Sequence, residues 1–82
     1  MDIKKIILEV SEEILGLEQE DMLNNMDMDL REAGLLDSVS TATLFTYVEE
    51  RIHKKIDMKE LRAEDVVSFN AMIAAVKRIA KL

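Results

Sequence analysis

The 82-residue chain is 49% hydrophobic but only 4% aromatic, carries a formal net charge of −6, and has no Cys, no Pro and two Gly. This length bounds it to a single domain over 1–82 with a modest core, and the absence of Cys excludes a disulfide framework and thiolate metal sites. Acidity argues against nucleic acid, whose phosphates need Lys and Arg, and the scarcity of Pro and Gly favours helices joined by loops over a turn-rich β fold.

Residues 2–15 read as an amphipathic helix, with Ile3, Ile6, Ile7, Val10 and Ile14 on one stripe. Asp2 is its expected cap and Gly16 its expected stop. Residues 17–37 lack steady periodicity, and a loop this long in a small domain is often functional. Leu23, Met26, Leu30 and Leu36 are the residues expected to pin it to the core, with a helical turn over 28–33. Residues 38–53 form the second clear helix. Leu44, Val48 and Ile52 recur every four residues, with Phe45 and Ala42 beside them and Tyr47 at the border. Either Asp37 or Ser38 suits the cap. In the connector at 54–60, Ile56 and Met58 are expected to turn inward. Leu61 and Val66 suggest a short third helix. Ser68 then caps a last helix over 69–81, with Phe69, Met72, Ile73, Val76 and Ile79 inward. Lys77, Arg78 and Lys81 complement its C-terminal dipole. The fold class is therefore all-α: a small four-helix bundle of three long helices and one short one.

Charge is unevenly spread. Residues 1–37 hold 11 acids against 3 bases, whereas residues 38–82 hold 6 acids against 8 bases. Such acidity is ordinary solubilising charge or a field that suits basic partner surfaces. Lys4 and Lys5 precede Ile6-Ile7-Leu8, but Glu9 ends that apolar run too early for a signal segment. No run approaches membrane-spanning length, so the expectation is a cytoplasmic protein with no membrane partner, and a monomer.

One stretch carries chemistry: Gly34-Leu35-Leu36-Asp37-Ser38-Val39. It sets an acid and a serine where a glycine-broken loop meets a long helical pattern. Read alone, Ser38 is a helix cap in a helical interaction module. As a nucleophile it would need a base within reach. The sole His, His53, lies fifteen residues along the helix, roughly 22 Å away. No nucleophile-elbow glycines flank Ser38, so no catalytic residues are assigned and no enzyme activity is expected. Asp27, Asp29 and Glu32 lack EF-hand spacing and its central glycine, so no metal site is assigned.

The whole pattern resembles the phosphopantetheine attachment site of the acyl, aminoacyl and peptidyl carrier proteins. The resemblance extends from about residue 3 to residue 80, with Leu30, Gly34, Leu36, Asp37 and Ser38 carrying its specificity. It implies a four-helix carrier with 4′-phosphopantetheine on Ser38, donated from coenzyme A by a phosphopantetheinyl transferase. Asp37 matches the acid that helps the transferase and its metal recognise the site. The arm would hold cargo as a thioester for a loading enzyme and downstream synthases. A helix N-terminus favours the phosphodiester by about 0.3–1 kcal/mol.

The resemblance also implies docking along the helix after Ser38, through Val39, Thr43, Thr46, Glu49 and Glu50. Ser40 and Thr43 stand where fatty-acid carriers usually have acids, and Arg51 also departs. Cargo therefore stays open between fatty acyl or polyketide groups on one side and aminoacyl or peptidyl groups on the other.

Overall fold

A computed structural model describes residues 1–82. The elements in order are α1 (Ile3–Leu15), α2 (Gln19–Leu23), α3 (Ser38–Ile52), 3-10 turns at Met58–Glu60 and Ala63–Val66, and α4 (Phe69–Ile79). There are no strands, so the fold is all-helical, with three long helices and one short α-helix.

The ends of the helices follow from local chemistry. Asp2 Oδ1 accepts the Lys5 N–H at 3.0 Å and starts α1. Gly16 ends it at φ 70°, a left-handed conformation that costs glycine little. Ser68 Oγ accepts the Ala71 N–H at 3.1 Å and starts α4. α3 closes on His53 at φ 56°, a left-handed cap without glycine.

α1 is the hub, packing against α2, α3 and α4. Its Ile3, Ile6, Ile7 and Val10 share one core with Leu44, Phe45, Val48 and Ile52 of α3 and Phe69, Met72, Ile73 and Val76 of α4. Leu30, Leu36 and Ile56 fill that core from the connectors. Ser11 lies fully buried on α1, and its Oγ has no hydrogen-bond partner. Asp65 is buried too, but satisfied: it accepts from the Arg62 N–H at 2.9 Å and from Arg78 at 2.7 Å. That pair ties the second 3-10 turn to α4.

Several expectations are corrected. The short α-helix lies at Gln19–Leu23, inside the segment expected to be loop. The 59–66 region is two 3-10 turns rather than one helix. Met22, not Leu23, is the anchor of α2, and Leu23 is 48% exposed. A helix of little more than one turn is too short to show a periodic stripe. Ala42 is exposed, while Thr41, three before Leu44 and four before Phe45, takes the half-buried place on the stripe. Its hydroxyl donates to the Asp37 carbonyl at 2.6 Å, which lets a polar residue sit there. Met58 is 43% exposed rather than inward. Met26 and Ile79 are half-buried, packed at the rim of the core, and α4 stops at Ile79. The 28–33 turn is present, closed by the Ala33 N–H on the Asp29 carbonyl at 3.0 Å.

Candidate functional site

The loop before α3 is fastened to the chain at the start of α4. The Leu30 N–H donates to the Val67 carbonyl at 2.7 Å, and the Asn70 N–H to the Met26 carbonyl at 3.1 Å. Asn70 Nδ2 donates to Asp27 Oδ1 at 2.8 Å. Asp29 Oδ1 accepts from the Arg31 and Glu32 amides at 3.0 and 2.9 Å. The Leu30 carbonyl in turn accepts from Leu35 at 2.9 Å and Leu36 at 3.2 Å. Leu30 and Leu36 are buried, so this segment enters α3 along a defined path. Gly34 makes the reversal possible at φ 76°.

Asp37, at extended φ −130° and ψ −175°, is the cap of α3, and its Oδ1 accepts the Ser40 N–H at 2.8 Å. That bond, chiefly, holds the Asp37 carboxyl below its ordinary value, so it is a carboxylate at neutral pH. Because Asp37 takes the cap, Ser38 is the first residue of α3, exposed, and its hydroxyl is not spent on capping. The Ser38 and Val39 amides lie in the first turn, where no helical carbonyl precedes them.

The other sequence-named residues divide into two groups. Val39, Thr43, Thr46 and Glu50 are spaced by four, three and four, which places them on one face of α3, away from the core stripe. Val39 is 76% exposed. Thr43 and Thr46 hydroxyls donate back to the Val39 and Ala42 carbonyls at 3.0 and 2.9 Å, so these threonines present their methyls more than free hydroxyls. Glu49 lies to the side and is engaged within the fold: its Oε2 accepts the Ile56 N–H at 2.7 Å, holding the chain after α3. His53, exposed at the opposite end of α3, is far from Ser38.

A feature not anticipated is a cleft of about 160 Å³ beside Ser38, lined by Arg31, Asp37, Thr41, Ala42, Met58 and Val66. Arg31 was not among the residues singled out from the sequence; the signal that marks it is that it is the only base between residues 6 and 50.

Comparison with known proteins identifies the family. A family described as "Phosphopantetheine attachment site" matches residues 5–76. The chain is 37% identical over 76 residues to a D-alanyl carrier protein of Streptococcus suis (strain 05ZYH33), covering 93% of this chain and 92% of that one. It is 33% identical over 79 residues to the D-alanyl carrier protein of Streptococcus sanguinis (strain SK36), covering 96% of each.

The residues present fit the group this family carries. An exposed, uncommitted hydroxyl sits where first-turn amides favour a phosphate, beside an open cleft. The chain therefore belongs to the phosphopantetheine-attachment family and is a carrier protein with a covalent 4′-phosphopantetheine arm.

Proposed function

We propose that this protein is an aminoacyl carrier, that its cargo is D-alanine, and that Ser38 is the residue bearing the arm. The observation that carries the attachment point is the exposed Ser38 at the first position of α3, with the cap supplied by Asp37 instead. Ser38 Oγ bonds to the pyrophosphate phosphorus of coenzyme A that bears the pantetheine, and its hydroxyl proton passes to the transferase or to solvent. The pyrophosphate bond breaks and the nucleotide half leaves. When attached, the arm supplies a terminal thiol that takes up an acyl group as a thioester. Asp37 stays ionised beside the new ester and orients the first turn, which supports a part in recognition by the phosphopantetheinyl transferase. The chain adds no acid, base or nucleophile of its own to the later chemistry. It acts as a monomeric, non-enzymatic cytoplasmic shuttle that raises the effective concentration of its cargo.

The choice of cargo rests on two supports. The similar Streptococcus proteins are D-alanyl carrier proteins. The outer face of α3 is also neutral for its first three turns, since no charged residue occurs from Ser38 to Val48. Partners of such a face meet valine and threonine methyls rather than the acids usual in fatty-acid carriers. Val39 is the apolar end of that face nearest Ser38, with Thr43 one turn on, Thr46 two turns on and Glu50 at the far edge. Glu49 contributes less to docking, because its carboxylate already holds Ile56.

The test is loading. The phosphopantetheinylated protein is incubated with ATP, D-alanine and a D-alanine-activating ligase, and separately with a malonyl or fatty acyl transferase system. D-alanyl thioester in the first reaction alone is the expected result. Acylation only in the second would overturn the cargo assignment.

A further inference from the structure

We propose that Arg31 and the cleft beside Ser38 seat the phosphodiester end of the arm once it is attached. This inference rests on Ser38 being the attachment point.

Attaching the arm adds an anion beside an existing one. Asp37 is adjacent and ionised, and residues 6–50 hold twelve acids against one base, Arg31. The Asp37 carboxylate repels a phosphodiester on Ser38 unless a cation offsets it. Arg31 is exposed and forms no ion pair with any of its acidic neighbours; the ion pairs of the fold belong to Arg51, Arg62 and Arg78. Asp29, two residues away, spends Oδ1 on the Arg31 and Glu32 amides. The same bonds fix the backbone from which the Arg31 side chain extends to line the cleft. A guanidinium suits a phosphate better than an ammonium does, because its planar fork donates two parallel N–H bonds.

The rest of the cleft matches the part of the arm next to the phosphate. Ala42, Met58 and Val66 supply apolar wall, and Thr41 already has its hydroxyl satisfied by the Asp37 carbonyl. Met58 is 43% exposed although it sits in a turn between buried anchors, and a flexible thioether adapts to an irregular guest. The cleft, of about 160 Å³, is small and open to solvent. In this proposal it takes the phosphodiester end of the arm, and the thiol end extends outside to partner enzymes.

The experiment uses full-length protein converted from apo to holo with coenzyme A and a transferase. Peptide mapping by mass spectrometry first establishes whether the group is on Ser38. Phosphorus-31 NMR then compares the folded holo protein with the same protein unfolded in urea, for wild type, Arg31→Gln and Arg31→Lys. The expected result is a phosphorus resonance displaced on folding in wild type, with most of that displacement lost in Arg31→Gln and part retained in Arg31→Lys. The Met58 methyl resonance should shift on conversion from apo to holo. Correct modification at Ser38 with the same displacement in all three proteins and an unmoved Met58 methyl would overturn the inference while leaving the attachment point intact. Modification elsewhere would overturn both. If Arg31→Gln resists modification, Arg31→Lys carries the comparison, because it keeps the charge and loses the fork.

Discussion

Phe45 is the position at which the fold can be challenged most sharply. It lies on α3, has no solvent exposure, and sits in the core shared by α1, α3 and α4. Phe45→Ala removes a large aromatic side chain from a site whose neighbours belong to several elements and collapse only in part. The expected loss is about 3–5 kcal/mol, from lost transfer energy plus the cavity left behind. A chain of this length has a total stability of about 4–12 kcal/mol at the usual value per residue. The variant therefore loses about a quarter of its stability at least, and at the extreme all of it. Urea unfolding followed by far-ultraviolet circular dichroism reads this directly. With a slope of about 1–1.5 kcal/mol per molar, the midpoint falls by about 2–5 M. Val39→Ala, on the exposed face of the same helix, should stay within about 0.5 kcal/mol of wild type. A loss below about 1 kcal/mol at Phe45 would refute the inward face assigned to α3.

The remaining predictions concern the surface, the buried acid and the buried hydroxyl. Val39→Asp should keep its helicity but slow modification and aminoacyl loading several-fold or more, since it places a charge on the apolar docking face beside the tether; unchanged rates would move docking to the acidic loop at Asp27, Asp29 and Glu32. Asp65 is held below the ordinary carboxyl value of 3.8, chiefly by hydrogen bonds from Arg78, so its contribution is fully present above that value and is lost as pH falls through the lower folded one. Acid titration of stability should accordingly be shallower in Asp65→Asn than in wild type, and equal slopes would count against the pair. Ser11→Ala should stabilise by about 1 kcal/mol, because it removes a buried unpartnered hydroxyl and improves helix propensity; thermal melting should rise by about 4–8 °C, and a fall would mean that Ser11 Oγ has a partner.

The long helices were legible because each has both a stripe and an end signal. Asp2 and Gly16 bracket α1, and Ser68 opens α4. The same signals were weak where structure depends on distant partners. α2 is a single turn whose inward residue, Met22, is chosen by packing on α1 rather than by periodicity. Thr41 takes an inward position that a polar residue does not advertise, since its hydroxyl is satisfied by its own helix. Glu49 read as a surface acid because its partner, the Ile56 amide, lies beyond the end of the helix. At the candidate site, the Asp37-Ser38 step was visible in the sequence, and the choice of cap between them was not. That choice is made by backbone angles: Asp37 is extended and Ser38 already helical. The cleft was hidden for a similar reason, since Arg31, Met58 and Val66 meet only through the fold.

The central claim is that Ser38 carries the arm, and intact-mass and peptide-level mass spectrometry test it most directly. The apo protein is incubated with coenzyme A, magnesium and a broad-specificity phosphopantetheinyl transferase, beside Ser38→Ala. The account predicts one added phosphopantetheine per chain, on the peptide containing Ser38, and none on a folded Ser38→Ala protein. Addition at Ser11, Ser40 or Ser68, or no addition to the wild-type chain, would contradict it.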